Sequence, residues 1–250
     1  MIVDFSKLST IKIGSKIDVK IVDETNYNDE ILIGRATNSL VCSGNNIALL
    51  DDKYDFIKIE NGYLKVGAKT KNSKLYNFTR KYNIGGFEFL SKLPGSIGGS
   101  VKMNAGMKEY EISNFLIAIN GIDKSNFEFG YRYSKIDIPI FEVCFDIKEG
   151  FSRSLVEEFS KMRNNQPKEP SLGSAFKNPK NDYAGRLIEA VGLKGIKFGG
   201  VGFSEIHANF LVNYSDGKCE DVITAINEAK KRIFEKFGVQ LEEEIKIIGE

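Results

Sequence analysis

With 250 residues, Lys+Arg 35 against Asp+Glu 34 and a formal net charge of +1, the chain lacks the broad positive field that drives non-specific attachment to nucleic acid. Hydrophobic residues at 42% beside charged residues at 28% describe a globular protein able to bury a real core, and the length predicts two domains. One histidine, His207, argues against a Ser-His-Asp triad or a multi-histidine metal centre; Cys42, Cys144 and Cys219, far apart with no CxxC pair, argue against a disulfide framework or a zinc site and for a reducing compartment.

The opening MIVDFSKLST carries acid and base early, and no later segment reaches the length of a membrane span. A cytoplasmic protein with no membrane or nucleic-acid partner is expected. From Leu32 to Val41, LIGRATNSLV sets a small-residue turn between two apolar strand pieces, where Asn38 can serve a ligand or its own backbone. Phe56 to Glu60 and Tyr63 to Val66 alternate apolar and polar residues around Asn61-Gly62. That dipeptide tolerates positive φ at both positions and predicts a β-hairpin. From Asn72 the period lengthens: Leu75, Phe78, Thr79 and Tyr82 share a helical face, with Gly85 as the left-handed stop.

KLPGSIGGSVKMNAG, Lys92 to Gly106, gathers Gly95, Gly98, Gly99 and Gly106. Glycine has no Cβ to block a phosphate and reaches the conformations that form an anion nest, so the segment reads either as a diphosphate cradle or as a structural turn. Its spacing is neither GxGxxG nor GxxxxGKS/T, which leaves the two commonest nucleotide folds without support. GYRYSKI, Gly130 to Ile136, sets Arg132 between two aromatics. There it is a planar fork for a carboxylate or phosphate, or a packed surface arginine.

A strand is expected over Phe141 to Phe145, and Leu155, Phe159 and Met162 mark a helix. It closes before Gln166-Pro167-Lys168-Glu169-Pro170, which reads as a connection between domains, so a boundary falls near residue 150. PSLGSAFKNP, Pro170 to Pro179, holds Ser171, Ser174 and Asn178 in a stiff loop; Ser174 has no evident histidine base and suits a proton donor better than a nucleophile. Ala184, Leu187, Ile188 and Val191 make a short amphipathic helix with Asp182 as N-cap and Gly192 as stop. His207 reads as a hydrogen-bonded structural residue rather than a catalytic one. Val222, Ile226, Ala229, Ile233 and Phe237 line a helix ended by Gly238, and Val239 to Ile248 reads as a last strand. Alternation along that strand turns Glu243 inward and Glu242 with Glu244 outward, and a surface acidic run fits the same residues.

In order along nearly the whole chain, IGRATNSLV, GFEFLSKLPGSIGGSVKMNAG, YRYS, PSLGSAFKNP, AGRLIEAVGLKG, SEIHANFLVN and LEEEIKIIG resemble the UDP-N-acetylenolpyruvoylglucosamine reductase family. Its members are flavoenzymes that make UDP-N-acetylmuramate for the bacterial cell wall. The resemblance implies an α+β chain: a two-part, non-Rossmann FAD-binding domain of the vanillyl-alcohol-oxidase type over residues 1–150, divided near 55, then a smaller α+β substrate-binding domain over 151–250. It implies FAD as cofactor, NADPH as hydride donor, UDP-N-acetylglucosamine enolpyruvate as substrate, no metal, and a monomer.

Carried across residue by residue, the family's flavin turn falls on Gly34, Arg35, Ala36, Thr37 and Asn38, and its pyrophosphate loop on Pro94, Gly95, Ser96, Gly98, Gly99 and Asn104. Tyr131, Arg132 and Asn178 match substrate-binding positions, with Arg132 on the substrate carboxylate. Ser174 matches the proton-donating serine and Glu244 the glutamate near the end. That puts Glu244 in place of the Glu243 that alternation nominates, and a bulge or twist near the strand end reconciles the two.

The chain departs from the family pattern in its flavin turn, where Arg35 and Ala36 stand in a normally glycine-rich stretch and restrict positive φ. Lys92 and Ser100 replace smaller residues, and Met107-Lys108-Glu109 replaces an alanine-tyrosine-glycine. The long tyrosine-bearing insertion of some members is missing, which marks the shorter type. Two other readings fit the same residues: an FAD-linked oxidase acting on another sugar or alcohol, and a non-catalytic flavin- or nucleotide-binding protein that keeps the fold.

Overall fold

The computed structural model describes residues 1–249, in which helices combine with mostly antiparallel sheets as an α+β fold. Two compact units form, and neither is one continuous stretch. The first gathers Met1–Val19, Ala36–Asn45 and the chain from Asn165 onward; the second gathers Lys20–Arg35 and Asn46–Asn164. In place of a single boundary near residue 150, the chain crosses between units repeatedly, last between Asn164 and Asn165. The cause lies in the backbone: Ser39–Val41 pairs in parallel with Lys246–Ile248, so an early strand belongs with the end of the chain.

In the second unit, Lys20–Val22, Ile47–Leu50 and Ile31–Leu32 make a small parallel sheet. A five-stranded antiparallel sheet runs in the spatial order Ile122–Asp123, Leu116–Ile119, Glu142–Phe145, Tyr63–Gly67 and Ile57–Glu60. Its edge hairpin turns at Asn61 and Gly62 with φ 52° and 81°, the left-handed pair that matches the strands' right-handed twist. Leu64, Val66 and Phe145 on its strands are buried in one apolar core with Phe87 and Phe89, each such side chain contributing about 1.5–3 kcal/mol. The helix Asn72–Lys81 buries Leu75 and Thr79. The left-handed residue after it is Asn83, at φ 56°, rather than Gly85, which enters a short strand paired with Lys148–Glu149.

In the first unit, a four-stranded antiparallel sheet runs Ser171–Ser174, Phe210–Asn213, Val201–Phe203, Lys197–Phe198. The helix Cys219–Phe237 packs on it through Val222, Ala225, Ile226, Ala229 and Ile233, an apolar stripe of helical period, and Gly238 closes it at φ 65°. Asp182 does not cap the helix Ala184–Ala190: it binds Arg186, and the Ala184 N–H donates instead to Asn178 Oδ1 at 3.1 Å. Phe237, expected on the buried side of its helix, is exposed because it is the helix's last residue, and Tyr82 and Met162, at or just past the ends of theirs, are exposed as well.

Two further expectations are corrected. The last strand covers only Lys246–Ile248, not Val239 to Ile248, because residues 244–245 bend. Cys42 and Cys219 form a disulfide across 177 residues, with Cα atoms 5.9 Å apart. Cys42 directly follows the strand Ser39–Val41 and Cys219 is the first residue of the long helix, a proximity that cysteine spacing does not encode. Cys144 is a free thiol. Among the described residues, no helix is long and apolar enough to cross a membrane.

Candidate active site

In the second unit the glycine segment is held by Asn72, a fully buried side chain. Its N–H donates to Gly95 O at 3.1 Å, its Nδ2 to Pro94 O at 3.4 Å, and Ser100 Oγ donates to its Oδ1 at 3.0 Å. The amides of Ile97 and Gly98 donate inward to Thr70 O and Ala68 O, so they fasten the loop rather than face a phosphate. A Cβ on Gly98 would fall 2.8 Å from Ala68 Cβ, and one on Gly34 would fall 2.5 Å from Ser96 Oγ. Such closeness needs glycine.

Two segments expected to hold the flavin, at Gly34 and at Ser96, therefore meet within one unit. Ser96 precedes the short helix Ile97–Lys102 without capping it, and Gly99 is exposed beside it. A thin glycine backbone next to a hydroxyl that makes no cap bond fits a diphosphate. Asn104 differs: it is fully buried, its Nδ2 donates to Glu111 Oε2 at 2.8 Å and to Gly130 O at 3.0 Å, and its Oδ1 accepts from Ser113 N at 3.3 Å. It braces the segment against the hairpin that carries Arg132.

Arg132 sits in the two-residue turn between Glu128–Gly130 and Tyr133–Lys135 and holds φ 53°. A long side chain in that region is strained, and strain of this kind gathers at working sites. Its Nη2 donates to Gly106 O at 2.9 Å, and its guanidinium lies 5.3 Å from the centre of the exposed Tyr131 ring.

In the first unit, Ser174 ends its strand opposite Phe210. The acidic run lies antiparallel alongside the following residues: Glu244 N–H donates to Ala175 O at 2.8 Å, Glu243 bridges to Phe176, and Lys177 N–H donates to Glu242 O at 2.9 Å. Lysines take the first two carboxylates, Lys177 binding Glu242 and Lys230 binding Glu243 at 2.7 Å. Burial raises the Glu243 carboxyl most, but the Lys230 bond, a backbone bond and nearby lysines together hold it below the ordinary glutamate value. The bend at 244–245 breaks the strand alternation that favoured Glu243.

Asn38 Nδ2 donates to Glu244 O at 2.9 Å, and Asn38 O receives the Lys246 N–H at 2.9 Å. Ser174, Glu244 and Asn38 are thus neighbours along one frame. Ala36, just before, adopts φ 48° and is buried at 3%. The expectation that Ala36 resists the left-handed region is overturned: a methyl group enters it at about 1–2 kcal/mol.

A cavity of about 350 Å³ is lined by Ser174, Asn178, Gly185, Lys194, His207 and Asn209. The His207 Nδ1 accepts the Asn209 N–H at 3.3 Å, so the neutral ring carries its proton on Nε2. Burial pushes the His207 pKa down, and the nearby Lys194 cation adds to the shift. Sequence context gave no sign that His207 shares a wall with Ser174. It also missed Asn72, which acts through loop carbonyls more than twenty residues away.

Residues 166–248 match the UDP-N-acetylenolpyruvoylglucosamine reductase, C-terminal domain. The chain is 44% identical to the UDP-N-acetylenolpyruvoylglucosamine reductase of Campylobacter jejuni strain RM1221, over 99% of this chain and 100% of that relative. It is 43% identical to the reductase of the same name from Helicobacter hepaticus, over 99% of this chain and 98% of the relative. The crystal structure of the reductase (MurB) from Thermus caldophilus matches with a TM-score of 0.83 at 25% identity, covering 100% of this chain and 98% of its own. Matched end to end at these identities, the chain belongs to the UDP-N-acetylenolpyruvoylglucosamine reductase family.

Proposed function

We propose that this protein reduces UDP-N-acetylglucosamine enolpyruvate to UDP-N-acetylmuramate in peptidoglycan precursor synthesis, with FAD as cofactor and NADPH as hydride donor, as a cytoplasmic monomer. The end-to-end identity of 44% to a reductase of that name carries the reading, and it disfavours the oxidase and non-catalytic alternatives. Gly34, Ser96 and Gly99 would hold the flavin diphosphate, Pro94, Gly95 and Gly98 shaping the loop from behind. Arg35, Ala36, Thr37 and Asn38 continue that flavin turn. Bound there, FAD would supply the hydride chemistry, passing hydride from NADPH to the methylene carbon of the enolpyruvyl ether.

Hydride arriving there leaves negative charge on the neighbouring carbon, spread onto the carboxylate. Arg132 grips that carboxylate with its planar fork, and Tyr131 flanks it. Glu244, its backbone fixed by Ala175 and Asn38, would in its protonated form donate a hydrogen bond to the developing charge instead of repelling it. Ser174 donates the proton that completes the reduction, and Asn178, in the same cavity wall, orients the substrate. A serine hydroxyl is a weak acid, so its usefulness depends on being positioned against a strongly basic enolate.

The reading is tested on the purified protein under anaerobic conditions. The protein is expected to be yellow, to bleach with NADPH, and to recover its colour when UDP-N-acetylglucosamine enolpyruvate is added. Recovery by oxygen but not by that substrate would favour the oxidase alternative.

A further inference from the structure

We infer that Arg163 is a second guanidinium for the substrate carboxylate, working beside Arg132; the inference rests on the carboxylate-binding reading of Arg132. Arg163 caps the C-terminal end of the helix Arg153–Met162, and its Nη1 donates to Lys92 O. Arg132 Nη2 donates to Gly106 O. Two cations from separate elements, a helix end and a hairpin turn, are therefore anchored to the two ends of the same glycine segment, inside one unit.

The Arg163 Nε is buried and has no acceptor among the described residues. An unpaired charged donor is costly to bury, and a native structure that keeps one has a reason to. Burial, and then the neighbouring Arg132 cation, push the Arg163 guanidinium below its ordinary value. A carboxylate meeting Arg163 would offset both costs, the unpaired buried N–H and the like charge nearby. With Nη1 turned to Lys92, the remaining edge of Arg163 is Nε with Nη2, the parallel pair of N–H groups that meets both oxygens of a carboxylate.

The substrate carboxylate is the anion this arrangement suits, because negative charge grows there during reduction and Arg132 already addresses it. Arg163 would then matter twice, in holding the substrate and in steadying the enolate. Sequence pattern gave no hint of it, since a lone arginine between a helix end and Gln166-Pro167 reads as solvated surface.

The test uses the full FAD-loaded chain with Arg163→Met and Arg163→Lys. Bleaching by NADPH and FAD content are expected to stay at the wild-type level in both. Affinity for UDP-N-acetylglucosamine enolpyruvate, measured calorimetrically, is expected to fall about 10- to 100-fold in the methionine variant, and colour recovery to slow with it. UDP-N-acetylglucosamine, which lacks the carboxylate, should bind wild type and variants alike. The lysine variant keeps the charge without the fork, so it shows the same split in smaller measure even if the methionine variant fails to fold.

Unchanged substrate affinity with a lowered melting temperature would make Arg163 a strut for Lys92 and overturn the proposal. Loss of FAD with substrate affinity intact would assign the guanidinium to the flavin diphosphate and overturn it equally. Arg132→Lys separates the two layers: if that change also leaves substrate affinity unaltered, the reading of Arg132 fails, whatever Arg163 does.

Discussion

His207 shows how a side chain's hydrogen bonding can be anticipated while its place is missed. Its Nδ1 bond to Asn209 fits a structural histidine, yet its ring lines the Ser174 cavity. Burial depresses its folded pKa below the unfolded value near 6.5, so the unfolded chain binds the extra proton first and stability falls as pH drops from about 6.5 through the folded value. Melting temperatures across that window should fall more steeply for the wild type than for His207→Gln; parallel curves would contradict this. Ser174 and Arg132 were nominated because their motifs are local. Glu244 was not separable from Glu243 by alternation, since the backbone bends at that position, and Asn72 and Arg163 act on carbonyls that only folding brings near.

At the scale of elements, the hairpin at Asn61-Gly62 and the apolar faces of the long helices were written in the sequence period, because local backbone preference and burial agree there. Helix ends were less legible: Asn83 replaced Gly85 as the left-handed stop and Asn178 replaced Asp182 as the cap, each through a bond to a residue outside the helix or a competing ion pair. The glycine segment separates two effects that the sequence merged. Gly98→Ala drives a Cβ to within 2.8 Å of Ala68 Cβ, so it should lower stability by about 1–3 kcal/mol as well as weaken FAD binding. Gly99→Ala meets only Ser96 Oγ, at 3.5 Å. It should weaken FAD binding with melting of the FAD-free protein unchanged, and equal FAD affinity in that variant would remove Gly99 from the cradle.

Across the whole molecule, the α+β class and the family were readable from ordered motifs, whereas the interleaving of the two units was not, because it depends on strands paired across some two hundred residues. A separation of 177 residues likewise hid the Cys42–Cys219 disulfide. A crosslink closing so long a loop typically contributes about 2–4 kcal/mol, so a reductant should lower the melting temperature of the wild type but not of Cys42→Ser. A full set of free thiols in unreduced protein would contradict it. The chemical account turns on the proton that Ser174 delivers, and rapid mixing of Ser174→Ala tests it most directly by following visible flavin absorbance in both half-reactions. The variant should bind FAD and bleach with NADPH at the wild-type rate, then recover its colour with substrate about 10²- to 10⁴-fold more slowly; recovery at the wild-type rate would take the proton away from Ser174 and the mechanism with it.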